Sequence, residues 1–222
     1  MKGLLVKDFN ILLLQKKFLG IVLIISVMLL MTSEQSSFLV GYITMMCGIV
    51  TVGTINYDDL DNGNTFLFTL PITRKGYVME KYVLVVVTSA IAWLVATIAS
   101  TMISLAKIEG FSIANGILEA VIIFVVCMVF EFIMIPVQIK YGGEKSRVVI
   151  VAMAGVIVVV GYLLKFLSEK LAGVISIDVE ALFRAIDSIG IVGLVAIAVG
   201  TGVAVMLISV AISGRIMEKK QF

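Results

Sequence analysis

The chain has 222 residues, of which 61% are hydrophobic and only 14% are charged, and its formal net charge is +2. Soluble domains are about half apolar and about a quarter charged, so this composition argues against a soluble domain. The chain also has no histidine. That absence excludes histidine-based catalysis and most zinc sites, and we expect a protein that is not an enzyme.

Long apolar runs account for most of the chain, and its mean hydropathy is +1.17. Each run is close to the 20 or so residues that an α-helix needs to cross about 30 Å of hydrocarbon. This pattern predicts an all-α polytopic membrane protein, with one transmembrane domain over residues 1–222. Its six predicted spans cover about 18–33, 38–55, 82–106, 120–139, 148–166 and 189–213.

The N-terminal segment, residues 1–17, is too polar and too short to cross a bilayer. Its apolar stripe on a helical wheel consists of Leu5, Val6, Phe9, Leu12 and Leu13. A helix of this kind can lie along the inner leaflet with its apolar side in the acyl chains. We therefore predict an interfacial helix; the alternative is a positively charged flank of the first span.

The distribution of Lys and Arg predicts the orientation of the chain. With the N-terminus inside, 13 of the 17 Lys and Arg residues lie in or next to the inner segments and four in the outer ones. Cytoplasmic loops carry such an excess of positive charge. Both termini and the loop at residues 56–81 are therefore predicted to be cytoplasmic.

This predicted cytoplasmic loop has internal order that a simple connection does not need. The residues Asn62, Gly63 and Asn64 signal a turn, and the apolar sequence FLFTLP, residues 66–71, follows them. We predict a short helix that ends at Pro71. Apolar clusters rimmed by charge mark interaction sites, so this helix is predicted to dock on a partner. The alternative is that its apolar side chains dip into the membrane interface.

Glu131 is the only acidic residue well inside a predicted span. A carboxylate at that depth is costly and faces the protein interior, a partner or a water-filled cavity. Two interpretations stay open. Glu131 lines a translocation cavity, or it is a protonated or hydrogen-bonded residue that packs helices together.

Small residues recur at helical spacing in two predicted spans, a pattern that lets helices approach closely in lipid. The third span carries Ala92, Ala96, Ser100 and Ser104, and the sixth carries Ala196, Gly200 and Ala204. Packing within the chain is the favoured interpretation, and a dimer interface is the alternative.

Two sequence blocks resemble signatures of small bacterial permeases of the type-2 ABC exporter family. In YDDLDNGNTFLFTLPITRKGYVMEKY, residues 57–82, the matching residues are Tyr57, Asp58, Leu70, Pro71, Ile72, Thr73, Arg74, Lys75, Lys81 and Tyr82. In IPVQIKYGGEKSR they are Ile135, Pro136, Gly142, Glu144, Lys145 and Arg147. Within the family, the chain looks most similar to permeases of the phenol-soluble modulin exporter.

The resemblance implies that residues 56–81 contain a coupling helix, which docks in a groove of a separate ABC ATPase subunit. The interfacial helix would help to hold that subunit. The chain has no P-loop motif, and the resemblance implies that ATP and magnesium bind to the ATPase and no cofactor binds to this chain. The implied coupling residues are Asp58, Asp59, Phe66, Leu67, Phe68, Leu70, Pro71, Arg74 and Lys75. The chain departs from its relatives at Asp59, Gly63 and Asn64, where a turn shortens the coupling helix.

The resemblance also implies a bacterial plasma-membrane location and a second permease chain, either identical or related. The cargo of such a pair would be hydrophobic or amphipathic, and an amphipathic peptide is the family-level expectation. Membrane lipid is a further partner, and no nucleic acid is expected.

Two other functions fit a chain with about six spans. A substrate-binding membrane subunit of a vitamin uptake system would need a polar pocket near the outer face and would leave the FLFTLP block without a role. A non-transporting membrane scaffold or immunity protein would stimulate no ATPase.

Overall fold

The computed structural model describes residues 2–32, 37–60, 63–107, 111–171 and 179–220, with the side chains of 2, 30–32, 143, 144, 147, 150 and 152–192 outside the description. Every element in these ranges is a helix. In chain order they are α1 (Lys2–Leu14), α2 (Lys16–Thr32), α3 (Ser37–Val52), α4 (Thr54–Asp59), α5 (Gly63–Leu67), α6 (Arg74–Lys107), α7 (Ile113–Leu171) and α8 (Val179–Lys219). The all-α prediction is confirmed for the described residues.

Four described segments are long and apolar enough to cross a membrane: Ser37–Asp59, Arg74–Lys107, Ile113–Gly142 and Gly193–Lys219. They contain the second, third and fourth predicted spans and most of the sixth. A fifth span results if α1 and α2, which meet at a bend of 61°, are counted together. The fifth predicted span, 148–166, falls in α7, mostly where side chains lie outside the described residues.

The loop predicted at residues 56–81 is shorter in the structure. Helix α4 continues to Asp59 and α6 already begins at Arg74, so both spans extend beyond their apolar runs. Between them, α5 covers only Gly63–Leu67, and residues 68–70 form turns rather than a helix that reaches Pro71. The backbone N–H groups of Thr69 and Leu70 each bond a carbonyl three residues back, which tightens this end of the helix.

Helix α1 packs on the other helices through a face that shares only Leu12 with the predicted apolar stripe. Leu4, Asp8 and Leu12 are buried, whereas Val6 and Phe9 are exposed. Residues four apart share one face of a helix, so Asp8 is turned inward together with its two leucine neighbours. The exposed apolar face is available to lipid.

The main apolar core joins the N-terminal helix, the loop and the C-terminal helix. Leu4 of α1, Leu67 of α5 and Met217 of α8 belong to one buried cluster, centred on Tyr77, Tyr82, Phe132 and Ile135. We call this region the terminal end of the bundle, since both chain ends approach it. A smaller cluster of Val40, Ala96 and Ala120 lies elsewhere in the bundle.

The two stripes of small residues differ in their surroundings. The stripe of α6 is buried, in agreement with packing inside the chain, and consists of Ala92, Ala96, Ser100 and Ser104. The stripe of α8 is exposed, and consists of Ala196, Gly200 and Ala204. A dimer interface on α8 stays a prediction.

Gly142 interrupts α7 with φ +72° and ψ −176°, between the fourth and fifth predicted spans. Only glycine adopts this backbone region without strain, and a Cβ at this position would also collide with the Asp59 carboxylate. We expect Gly142→Ala to lower the free energy of unfolding by about 1–3 kcal/mol. Gly214→Ala is the matched control, because no atom lies within 4 Å of the added methyl group. Equal thermal stability of the two variants in detergent would contradict the strain argument.

Candidate functional site

Four charged side chains from three helices meet in the interior of the terminal end. We call Lys7 and Asp8 of α1, Asp58 of α4 and Lys81 of α6 the ion cluster. Lys81 donates a hydrogen bond to Asp8, and its Nζ lies 2.6 Å from Asp58 Oδ2. Lys7 donates to Asp58 and lies 3.2 Å from Asp8 Oδ1. Two cations and two anions therefore alternate around one point.

Three members of the ion cluster are removed from solvent, with Asp8 at 0%, Lys81 at 1% and Asp58 at 6% exposure, whereas the side chain of Lys7 is 34% exposed. Buried charges are tolerated only when they are paired and hydrogen-bonded. Two neutral groups add hydrogen bonds to the ion pairs. The Tyr77 hydroxyl donates to Asp58 Oδ2 at 3.0 Å, and Thr54 Oγ1 accepts from Lys81 at 3.3 Å. The network fixes α1, α4 and α6 to one another.

Glu80 is a further buried acid beside this network. Its side chain is 1% exposed, and neither carboxylate oxygen has a hydrogen-bond partner among the described residues. The Lys81 ammonium lies 4.0 Å away. This third acid makes the region richer in carboxylates than in cations.

The predicted coupling residues separate into an inward and an outward set. Leu67 is buried in the core, and Phe68 packs edge-to-face on Tyr77 with ring centroids 5.8 Å apart. Phe66 and Leu70 point outward, at 71% and 45% exposure. Pro71 and Lys75 are also exposed. The loop therefore has a fixed inner side and an exposed apolar outer side.

Both ends of the loop are attached to the C-terminal helix. Arg74 Nη1 donates to the carbonyls of Met217 and Glu218, at 3.2 and 2.6 Å. Cations are favoured at a helix C-terminus, where carbonyl groups lack helical partners. At the other end, Asp59 accepts from Asn64 Nδ2 at 2.9 Å and lies 3.5 Å from Lys220 Nζ. Lys220 Nζ also donates to the Ile139 carbonyl of α7 at 3.2 Å, so the loop and the C-terminal end of the chain are connected to α7 near Gly142.

Glu131 lies in a different place, between three helices of the bundle. Its side chain is fully buried and its Oε2 accepts a 2.8 Å hydrogen bond from Ser89 of α6. On the opposite side it fills space left by Gly48 of α3. Its Oε1 has no hydrogen-bond partner among the described residues.

Sequence reasoning identified Asp58 and Lys81 as parts of a signature but missed that Asp8 completes their pairing. Asp8 lies four residues after Leu4 and four before Leu12, and this spacing in the sequence places Asp8 on an apolar face of α1.

Comparison with known families agrees with the resemblance seen in the sequence. The family described as "ABC-2 family transporter protein" matches residues 3–218, nearly the whole chain. Neither the curated proteins nor the solved structures gave a match. The chain therefore belongs to the ABC-2 transporter family, and is the membrane permease component of an ABC transporter whose ATPase is a separate subunit.

Proposed function

We propose that the chain is the permease subunit of an ATP-driven exporter that moves a hydrophobic or amphipathic cargo. By resemblance to the modulin exporters, the cargo is an amphipathic peptide. The chain lies in the bacterial plasma membrane with both termini in the cytoplasm. ATP and magnesium bind to the partner ATPase, and this chain carries no catalytic residue or cofactor.

The exposed apolar pair of Phe66 and Leu70 carries this proposal. Both side chains project from a loop whose own inner side, Leu67 and Phe68, is already packed on the bundle. Lys75 adds positive charge nearby. An exposed apolar patch with a charged rim suits a protein partner, and the family supplies one, a separate ATPase.

The anchors of the loop suit it to transmit force. Asp58, at the end of α4, is tied through Lys81 and Asp8 to α1. Arg74, at the start of α6, is tied to the end of α8. A displacement of the loop by the ATPase would therefore move α1, α4, α6 and α8 together rather than bend one connection.

The cargo route forms when this chain pairs with a second permease, identical or related. Glu131 remains a candidate residue of that route. Its unpartnered Oε1 could accept a hydrogen bond if helix movement opened a path to it. Glu131 would then pack helices together in one state of the transporter and line the cargo route in another, so both interpretations would apply.

Co-purification with the ATPase tests the docking surface. We expect the double variant Phe66→Asp/Leu70→Asp to lose the ATPase in detergent, whereas the wild-type chain retains it. Two charges would have to be desolvated where two apolar groups were buried, at a cost of several kcal/mol. Thr65→Asp/Thr69→Asp is the matched control, since it adds the same charges at exposed positions and keeps both apolar side chains.

Retention of the ATPase by the Phe66/Leu70 variant would place the docking surface elsewhere. Loss of the ATPase by both variants would show that negative charge alone disrupts binding. If the wild-type chain binds no ATPase, the exporter function is wrong.

A further inference from the structure

Pro136 shapes the seam between the first part of α7 and α8. A proline has no backbone N–H, so the carbonyl of Phe132, four residues earlier, loses its helical donor. The Ser209 hydroxyl of α8 donates to that carbonyl instead. Ser209 also shares a hydrogen bond of 2.5 Å with the Tyr82 hydroxyl of α6. These bonds hold α8 against α7 at the proline.

A groove of about 410 Å³ lies along this seam. Most of its described lining is apolar, with Ile133 and Val137 of α7 on one side and Ile208 and Ile212 of α8 on the other. Ile133, Ile208 and Ile212 are exposed, so the groove opens on the outer surface of the bundle. Both helices contribute segments that are long and apolar enough to cross the membrane, and lipid surrounds such a surface. The volume is within the range of cavities that hold small-molecule ligands, about 300–1,000 Å³.

The groove ends at positive charge, close to the chain's C-terminus. Lys140 lines this end, is exposed, and holds its Nζ 4.9 Å from the centroid of the Tyr141 ring. Lys219 is also exposed and follows Ile216, another lining residue, by three positions, which places both on one side of α8. No acidic residue is among the described residues that line the groove.

We propose that this groove binds one phospholipid with an anionic headgroup. One acyl chain lies between α7 and α8, and the phosphate contacts Lys140, with Lys219 beside it. Charge complementarity favours this occupant, because basic pockets between membrane-spanning helices suit anionic lipid headgroups. The eight residues from Phe132 to Lys140 cover about 12 Å of helix, which is most of the roughly 15 Å of hydrocarbon in one leaflet.

A second copy of the chain suits this face less well. Two identical chains in one membrane pair through the same surface of each, so Lys140 and Lys219 of both copies would meet at the same depth. Like charges brought together at an interface cost several kcal/mol, whereas an anionic headgroup supplies the opposite charge. The site requires neither cargo nor ATPase, so it goes beyond the proposed function.

Two phospholipids with the same acyl chains test the headgroup requirement. We expect native mass spectrometry of the full chain to show phosphatidylglycerol bound about tenfold more tightly than phosphatidylcholine, because each lysine beside an anionic lipid contributes about fivefold. Lys140→Gln should lower that ratio about fivefold, and Lys140→Arg should keep it. Lys17→Gln is the matched control, since Lys17 is an exposed cation of α2 that does not line the groove.

A tryptophan placed in the groove tests the path of the acyl chain. Ile208→Trp should weaken the binding of both lipids several-fold, because the indole ring occupies the space of the acyl chain. Leu207→Trp is the matched control and should leave both affinities unchanged. Leu207 is 65% exposed and Ile208 is 61% exposed, but only Ile208 lines the groove.

Equal affinity of the wild-type chain for the two lipids would overturn the proposal. A ratio that stays unchanged in Lys140→Gln, or falls as far in Lys17→Gln, would overturn it as well. Equal losses in the two tryptophan variants would show that the lipid does not use the groove. If Ile208→Trp abolishes a dimer in the same spectra and leaves lipid binding unchanged, a second copy occupies the groove and the proposal is wrong. A monodisperse elution profile for each variant shows that a loss does not come from unfolding.

Discussion

Replacement of Lys81 by methionine should lower the free energy of unfolding by about 3–5 kcal/mol, the cost of breaking a buried ion pair from one side. The Lys81 ammonium contacts both Asp8 and Asp58, and all three side chains are buried. Methionine keeps an unbranched side chain one atom shorter but leaves two carboxylates with Lys7 as their remaining close cation. Unfolding of the purified chain in mixed micelles at increasing SDS concentration would measure the loss.

A second substitution distinguishes charge from packing. Lys81→Met/Asp8→Asn removes one cation and one anion, so it should recover part of the loss. Lys75→Met is the matched control on the same helix. Lys75 is exposed, and its ion pair with Glu218, at 3.4 Å, lies at the surface, where such pairs contribute about 0–1 kcal/mol. If Lys81→Met and Lys75→Met unfold alike, the ion cluster does not hold the three helices together.

The thickness of the membrane explains why some helices of the fold could be predicted from the sequence. A helix must present about 20 apolar residues to cross the hydrocarbon, so the long apolar runs located the spans represented by α3, α6 and the first part of α7. The same rule says little about where helices stop in water. Arg74 to Lys81 extend α6 beyond the apolar run. Thr73 caps this end, since its hydroxyl accepts from the Gly76 N–H at 3.1 Å, and packing on Met217 and the ion cluster stabilises the extension.

The candidate site was predicted only in part, for a similar reason. The apolar sequence at residues 66–70 predicts an interaction surface, but the sequence alone does not determine which of these side chains face the bundle. The inward side is determined by two packing contacts: Phe68 packs on Tyr77, and Leu67 packs in the core cluster. The spacing of Leu4, Asp8 and Leu12 indicates the buried face of α1, but it does not identify the partner of Asp8, because Lys81 lies 73 positions away.

Gly48, which lies against Glu131, allows a test of how closely α3 and α7 pack. We expect Gly48→Ala to destabilise the chain by about 2–4 kcal/mol, from overpacking together with a lost buried hydrogen bond. A Cβ at residue 48 would overlap Oε1 and Cδ of Glu131 and lie 2.9 Å from its Cγ. Glu131 would have to rotate away, and Ser89 would lose its acceptor. SDS unfolding again gives the measurement, and Gly20→Ala, with no atom within 4 Å of the added methyl group, is the control.

Companion substitutions at residue 131 separate volume from charge. Glu131→Ala makes room for the new methyl group, so Gly48→Ala/Glu131→Ala should be more stable than the sum of the single losses predicts, by about 1–3 kcal/mol of coupling. Glu131→Gln replaces the carboxyl group with a neutral amide of the same volume, so it should not rescue Gly48→Ala. If Glu131→Gln rescues as well as Glu131→Ala does, burial of charge rather than space governs this contact, and Glu131 is then the stronger candidate for a residue of the cargo route. Rescue by Glu131→Ala alone would instead identify Gly48 and Glu131 as a fitted pair that sets the distance between α3 and α7.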